Sequence, residues 1–123
     1  MNDSASGLAG IFLNIVVIED DPVLRMLLSE IISDSGADCH VFTNCDQALM
    51  YLSAGNTCEA VIADHGVPGK LQGTEFIRKV QELWPRVRCV LTSGYDLSTI
   101  ELPGNCIYLP KPWTPASLLG ALG

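Results

Sequence analysis

Short apolar runs alternate with amphipathic segments about five times along this chain. Each run holds four to six apolar residues, and between the runs apolar residues recur at helical spacing. This alternation is typical of a parallel sheet whose strands are joined by crossover helices. It predicts an α/β fold, a doubly wound sheet of five parallel strands with helices on both faces. The predicted strands are 14–18, 37–42, 60–63, 87–92 and 106–109.

Capping residues mark the ends of the predicted helices. Asp21, Asn44 and Thr114 stand where N-cap residues belong, just before segments with helical periodicity. Gly36 and Pro85 stand where the first and third helices should stop. The apolar faces of the first, third and fifth helices are predicted to be Leu24, Leu27, Leu28, Ile31, Ile32, Phe76, Ile77, Val80, Leu83, Leu118, Leu119 and Leu122.

Two segments fall outside this regular pattern. The stretch 96–102 has room for one or two helical turns before Pro103, so we expect the fourth helix to be short or irregular. The apolar run that ends at Ile18 is too short to span a membrane. We therefore expect residues 1–12 to form a flexible leader and residues 13–123 to form a single domain.

Composition restricts the class of function. With 123 residues, 48% of them hydrophobic and 17% charged, the chain suits one globular domain. Fourteen acidic residues against seven basic ones give a net charge of −7, which argues against direct nucleic-acid binding. No membrane insertion is expected. The five cysteines are scattered without a C-x-x-C pair, which indicates reduced thiols and a cytoplasmic location.

Polar side chains stand at the carboxyl ends of four of the predicted strands. Glu19 and Asp20 follow the first strand, Asp64 the third and Ser93 the fourth, and Lys111 lies just past the fifth. In an open α/β sheet, the ligand site lies beyond the carboxyl ends of the strands, where these side chains would converge. Such a set suits a hard cation and a phosphoryl group.

Each of these residues also has an ordinary explanation. Neighbouring carboxylates about 4 Å apart repel by about 4 kcal/mol at an effective dielectric near 20, which either solvent or a divalent cation would relieve. Asp64 suits a turn, but it also suits a nucleophile that accepts a phosphoryl group. Ser93 could belong to a turn and Lys111 could be solvated. Spacing alone leaves these alternatives open.

Together, these segments resemble the receiver domain of two-component response regulators. The motifs are VVIEDDP at 16–22, IADHGVPG at 62–69, LTSGY at 91–95 and LPKP at 109–112. The resemblance covers about residues 13–122, and it implies a flavodoxin-like sheet with strand order 2-1-3-4-5. The third of these motifs, with the loop after the third strand, is similar to receivers attached to hybrid histidine kinases.

The resemblance also implies a role for most of the strand-end residues. Glu19 and Asp20 match the acidic pair that positions Mg²⁺, and Asp64 matches the phosphoacceptor, which also contacts the metal. Gly66 matches the position whose backbone carbonyl completes the metal site.

A second group of residues matches the positions that detect and retain the phosphoryl group. Ser93 and Lys111 match the hydroxyl residue and the invariant lysine, whose bond to the next proline is expected to be cis. Tyr108 matches the aromatic switch residue. Gly66 and Tyr95 match positions that influence hydrolysis, where glycine offers water no hydrogen bond and tyrosine shields the phosphoryl group. We therefore expect slow dephosphorylation.

The resemblance implies a signalling switch. A histidine kinase or histidine phosphotransfer protein would supply the phosphoryl group, and the face formed by strand 4, strand 5 and helix 5 would change. Such a domain catalyses only its own phosphorylation and dephosphorylation, so it is not classed as an enzyme.

Other functions were weighed against this one. A small phosphatase that forms an aspartyl-phosphate would carry a second aspartate where Gly66 stands. An FMN module is disfavoured by three acids after the first strand. A pseudo-receiver that only docks a partner is a further alternative. The cognate kinase, the output partner and a possible homodimer are not fixed by the sequence.

Overall fold

The computed structural model describes residues 14–66, 69, 71–94 and 102–123. The described residues form five strands and four helices. Their order is β1 (Asn14–Ile18), α1 (Pro22–Asp34), β2 (Asp38–Phe42), α2 (Cys45–Ser53), β3 (Ala60–Asp64), α3 (Gly73–Leu83), β4 (Arg88–Ser93), β5 (Cys106–Pro110) and α4 (Pro115–Leu122). The helix predicted as the fifth is therefore α4 here.

The five strands form one sheet in the order β2-β1-β3-β4-β5, and every neighbouring pair is parallel. This confirms the predicted fold class and strand order. Strands β3 and β4 each reach one residue further than predicted, because Asp64 pairs with Thr92 and Ser93 pairs with Pro110. Asp64 and Ser93 are therefore held by the sheet and do not belong to the loops that follow.

Three of the four described helices begin directly after a predicted N-cap, whereas α3 follows Gln72, which was not predicted. The side chain of Asp21 accepts hydrogen bonds from the first backbone N–H groups of α1. Asn44 accepts one from the N–H of Gln47 at 2.8 Å, and Thr114 accepts one from the N–H of Ser117 at 3.0 Å. Each bond satisfies a donor that the helix itself leaves unpaired.

A hydrophobic core lies on each face of the sheet. One core packs beneath α2 and α3, and the other packs beneath α1 and α4. Successive residues of β1 divide between them, with Val16 and Ile18 in the first and Ile15 and Val17 in the second. This alternation is what a strand buried on both faces requires.

Two residues predicted on apolar helix faces are exposed to solvent. Leu27 is 41% exposed and Leu83 is 55% exposed. Leu83 lies in the last turn of α3, where it lines a surface groove with Trp84 and Pro85. Leu27 borders a second surface pocket, beside Trp113. At these two positions, the helical periodicity wrongly predicted burial.

Three predictions concern residues beyond the described part of the chain. The leader at 1–12, Tyr95 and almost all of the short fourth helix at 96–102 lie outside the described ranges. All five cysteines lie within them, and each is a free thiol. Among the described helices, none combines the length and apolar character that a membrane crossing requires.

Candidate functional site

A polar cleft of about 390 Å³ opens at the carboxyl ends of the strands. It is lined by Glu19, Asp20, Asp21, Asp64, His65, Gly66, Gly94 and Lys111. The predicted convergence of strand ends therefore places the acidic pair, the central aspartate and the lysine at one point. The parallel sheet brings them together because all of its strands end at the same edge.

Three carboxylates share this cleft at short range. One oxygen each from Glu19, Asp20 and Asp64 lies within 4.8 Å of the other two. Glu19 is 1% exposed and Asp64 is 6% exposed, whereas Asp20 is exposed to solvent. Three oxygens at this spacing fit a hard divalent cation such as Mg²⁺, which prefers carboxylate ligands and retains some of its water.

Lys111 lies between the two buried carboxylates. Its Nζ is 3.0 Å from Oε1 of Glu19 and 3.0 Å from Oδ2 of Asp64. Its backbone N–H donates to the carbonyl of Ser93 at 2.9 Å, and its bond to Pro112 is cis, as expected. The ammonium group therefore offsets part of the charge that the sheet concentrates here.

The protonation of the site follows from burial and from these ion pairs. Burial raises the pKa of Asp64 to about 6, with a further contribution from Glu19, while Lys111 opposes the increase. Burial alone would lower the pKa of Lys111, but its hydrogen bonds and ion pairs with Asp64 and Glu19 hold it above the ordinary value. At neutral pH, Asp64 is therefore largely ionised beside a charged lysine.

Arg25 holds the loop between β1 and α1 from outside the cleft. Its guanidinium donates to the carbonyl of Glu19 at 3.0 Å and to that of Asp20 at 3.3 Å. The Oε2 atom of Glu19 in turn accepts from the N–H of Asp21 at 3.1 Å. Sequence analysis did not identify Arg25, although an arginine one turn into a helix that follows an acidic loop is a usable signal.

The remaining predicted residues within the described ranges are Ser93, Tyr108 and Gly66, which differ in their position relative to the cleft. Ser93 is 1% exposed at the end of β4, next to the cleft residue Gly94. Tyr108 is half-buried in β5 and packs against the core beneath α2 and α3. Gly66 lines the cleft with φ of 100°, a conformation that favours glycine.

His65 lines the cleft directly after Asp64, and sequence analysis assigned it no role. Its Nδ1 atom is buried and has no hydrogen-bond partner within the described ranges. Its backbone N–H continues the strand pairing by donating to the carbonyl of Thr92 at 2.9 Å. No spacing in the sequence distinguishes this histidine from an ordinary loop residue.

An apolar pocket of about 520 Å³ adjoins the polar cleft. Leu24 and Leu27 of α1, with Pro112 and Trp113, form its apolar lining. Gly94 and Lys111 line both the pocket and the cleft. The same helix also exposes Val23 and Met26, so an apolar surface lies directly beside the acidic site.

Comparisons with known proteins agree with this geometry. A family model described as the response regulator receiver domain matches residues 15–122. The hydrogenase transcriptional regulatory protein HoxA of Cupriavidus necator is 33% identical over 64 residues, which is 48% of this chain and 13% of that protein. The DNA-binding transcriptional regulator NtrC of Salmonella typhimurium is 26% identical over 101 residues, which is 79% of this chain and 21% of that protein. The chain thus spans a small part of the length of both relatives.

Solved structures show the same fold. A response regulator receiver protein from Sinorhizobium medicae superposes with a TM-score of 0.81 at 23% identity, covering 89% of this chain and 90% of that chain. A CheY-like receiver domain from Methanospirillum hungatei gives 0.77 at 19% identity, with the same coverage of both chains. Because the family model spans both cores and every residue of the acidic cluster, this chain belongs to the response regulator receiver domain family.

Proposed function

We propose that this domain accepts a phosphoryl group on Asp64 from a phosphohistidine-bearing protein and acts as a phosphorylation-dependent switch. The observation that carries the proposal is the position of Lys111, whose Nζ lies 3.0 Å from both Glu19 and Asp64 inside the acidic cluster. A buried carboxylate with a fixed cation beside it is arranged for the arrival of further negative charge.

In this proposal Asp64 is the nucleophile and Lys111 binds the transferred phosphoryl group. An oxygen of ionised Asp64 attacks phosphorus, the new O–P bond forms, and the P–N bond to the donor imidazole breaks with its electron pair left on the ring nitrogen. Lys111 can turn from the carboxylates to a phosphoryl oxygen as a point charge. Mg²⁺ held by Glu19, Asp20 and Asp64 would neutralise further charge on the transferred group.

The proposed donor is a histidine kinase or a histidine phosphotransfer protein. Either must bring an imidazole to Asp64 and so must contact the surface around the cleft. The apolar pocket beside Trp113 and the exposed Val23 and Met26 (67% and 58% exposed) provide a surface there for a protein partner. A small-molecule donor would have no use for this surface, which is why we favour a protein.

The switch itself remains a prediction. Ser93 and Tyr108 lie on the adjacent strands β4 and β5, so a change at the Ser93 hydroxyl has a short path to the ring of Tyr108. We expect the face formed by β4, β5 and α4 to change on phosphorylation. A cytoplasmic location, and a role limited to the domain's own phosphorylation and dephosphorylation, also remain predictions.

Incubation with acetyl phosphate and Mg²⁺ tests the phosphoacceptor. We expect intact-mass analysis to show one added phosphoryl group in the wild type and none in Asp64→Asn. The matched control is Asp21→Asn, which removes an equal charge from the same cleft while asparagine retains the N-cap of α1. Equal labelling of Asp64→Asn and the wild type would contradict the assignment.

The same experiment separates the alternatives. Continuous release of inorganic phosphate over many turnovers would favour a phosphatase. Absence of labelling with acetyl phosphate and with a phosphorylated phosphotransfer protein would favour a domain that only docks a partner. A metal titration completes the test, because Asp20→Asn should weaken the response of the Trp113 fluorescence to Mg²⁺.

A further inference from the structure

We infer that Gln72 is a positioning residue for the loop between β3 and α3, because its side chain fixes the backbone of Gly66 beside Asp64. The inference rests on the proposed function of Asp64. Gln72 stands immediately before α3 and does not line the polar cleft, so it would act on the site through Gly66 and not by direct contact.

The hydrogen bonds around Gln72 join the two ends of the loop. Its Oε1 accepts from the N–H of Gly66 at 3.2 Å, across six residues of sequence. Its own backbone N–H donates to Oε1 of Glu75 in the first turn of α3, also at 3.2 Å. Gln72 thus contacts the first turn of α3 through its backbone N–H and Gly66 through its side chain.

Gly66 depends on such support because it offers the cleft nothing but its backbone. Its φ of 100° lies in a region that glycine enters freely. Fixing its N–H orients the peptide plane that joins it to His65, so only φ and ψ of Gly66 itself remain to aim its carbonyl. That carbonyl is the atom predicted to complete the metal site.

The start of α3 is a rigid frame for this contact. A Cβ placed on Gly73 would lie 2.8 Å from the backbone oxygen of Asp64, so the helix packs directly on the backbone of the phosphoacceptor. The same loop is held on its other side, where Oδ2 of Asp46 accepts from the N–H of Leu71 at 3.4 Å. The hydrogen bond from the N–H of Gly66 to Gln72 holds the backbone after Asp64 at the same helix start.

The identity of the residue supports the inference. Short polar residues such as Asn, Asp and Ser are the preferred N-caps, and glutamine is not among them. Glutamine is one methylene longer than asparagine, which gives its amide the reach to Gly66. Its length therefore lets the side chain reach Gly66 while it also takes part in a capping box with Glu75.

Gln72→Asn separates the capping of α3 from the contact with Gly66. Asparagine is a strong N-cap, so the thermal midpoint should be unchanged or higher, but its shorter side chain loses Gly66. We expect faster hydrogen exchange of the Gly66 amide in the metal-free protein. We also expect the Mg²⁺ dissociation constant to rise, and the acetyl-phosphate labelling rate to fall, by about two- to tenfold, the range of one hydrogen bond.

Two further variants make the result specific. Gln72→Met keeps the length but has no amide oxygen to accept from Gly66, so it should reproduce the changes at Gly66. Glu75→Ala removes the bond to the backbone of Gln72 and should lower the thermal midpoint without altering Mg²⁺ affinity or Gly66 exchange.

The inference is overturned if Gln72→Asn matches the wild type in Gly66 exchange and Mg²⁺ affinity. It is equally overturned if Glu75→Ala weakens Mg²⁺ binding as much as Gln72→Asn does, because loss of the cap would then explain the effect. Failure of the proposed function is a separate result, since it would appear as absent labelling of wild-type Asp64.

Discussion

The ammonium nitrogen of Lys111 lies 3.0 Å from Oδ2 of Asp64, and both groups are largely withdrawn from solvent. Glu19 lies at the same distance from the same nitrogen. Two buried carboxylates so close to each other would repel, and Lys111 relieves that repulsion in the metal-free protein. The lysine is therefore part of the stability of the site as well as of its chemistry.

Lys111→Met should destabilise the metal-free protein at pH 7. Loss of the cation leaves Glu19 and Asp64 uncompensated, and we expect a loss of about 1–3 kcal/mol, below the range for fully buried pairs because Lys111 is partly exposed. Urea denaturation measures this loss in the free energy of unfolding. The control is Lys79→Met, at an exposed position on α3, which should change stability by less than about 0.5 kcal/mol. Equal losses in the two variants would contradict this account.

The stability of the metal-free protein should depend on the ionisation of Asp64. Its pKa of about 6 in the folded state lies above the unfolded value near 3.9, so the folded state binds the extra proton between about pH 4 and pH 6. Stability should therefore fall as the pH rises through this window.

Asp64→Asn removes that dependence. We expect the variant to exceed the wild type by about 1–3 kcal/mol at pH 7, and the two proteins to converge below about pH 4. Thermal denaturation in the presence of EDTA measures the difference. Asp38→Asn, on the exposed edge of β2, should show no comparable gain. A variant less stable than the wild type at pH 7 would show that the ion pair with Lys111 outweighs the cost of burial.

Gly73→Ala should disturb Asp64 through its backbone. The added methyl group would lie 2.8 Å from the carbonyl oxygen of Asp64 and 3.0 Å from Cδ1 of Leu91, so either the helix or the strand must move. We expect a loss of about 1–3 kcal/mol in urea denaturation. Gly120→Ala, also helical but with nothing within 4 Å, should gain up to about 1 kcal/mol. A neutral Gly73→Ala would show that the close contact is not maintained.

The lifetime of the phosphorylated protein should be long, and Gly66 should contribute to it. Gly66→Asn would give a hydrolytic water a hydrogen-bond partner and should shorten the lifetime about tenfold, or about 1.4 kcal/mol in the barrier. Decay of labelled protein after removal of the donor measures this. Gly55→Asn is the matched control, because Gly55 has φ of 103° against 100° for Gly66 and nothing lies within 4 Å of it. It should lose similar stability without a change in lifetime.

The parts of the structure that local sequence determines were predictable. The N-caps Asp21, Asn44 and Thr114 act on N–H groups two or three residues away, so their roles follow from spacing alone. The convergence of Asp64 and Lys111 was also predictable, because parallel strands end at one edge of the sheet. The family resemblance then assigned roles that spacing had left open.

Contacts that depend on the path of a loop or the end of a helix were not predictable. Leu83 has the right periodicity for the core, but it falls in the last turn of α3 and is exposed. Gln72 holds a backbone group six residues away that becomes its neighbour only once the loop has folded. Periodicity carries no information about such contacts.

The apolar pocket and the polar cleft have Gly94 and Lys111 in common, so their occupants contact the same residues. Any molecule that binds the pocket more tightly when Asp64 is phosphorylated must, by reciprocity, stabilise the phosphorylated state by the same factor. One that prefers the unmodified protein must shift the equilibrium the other way. A compound without any charge could therefore bias this acidic site, simply by filling the space beside Trp113.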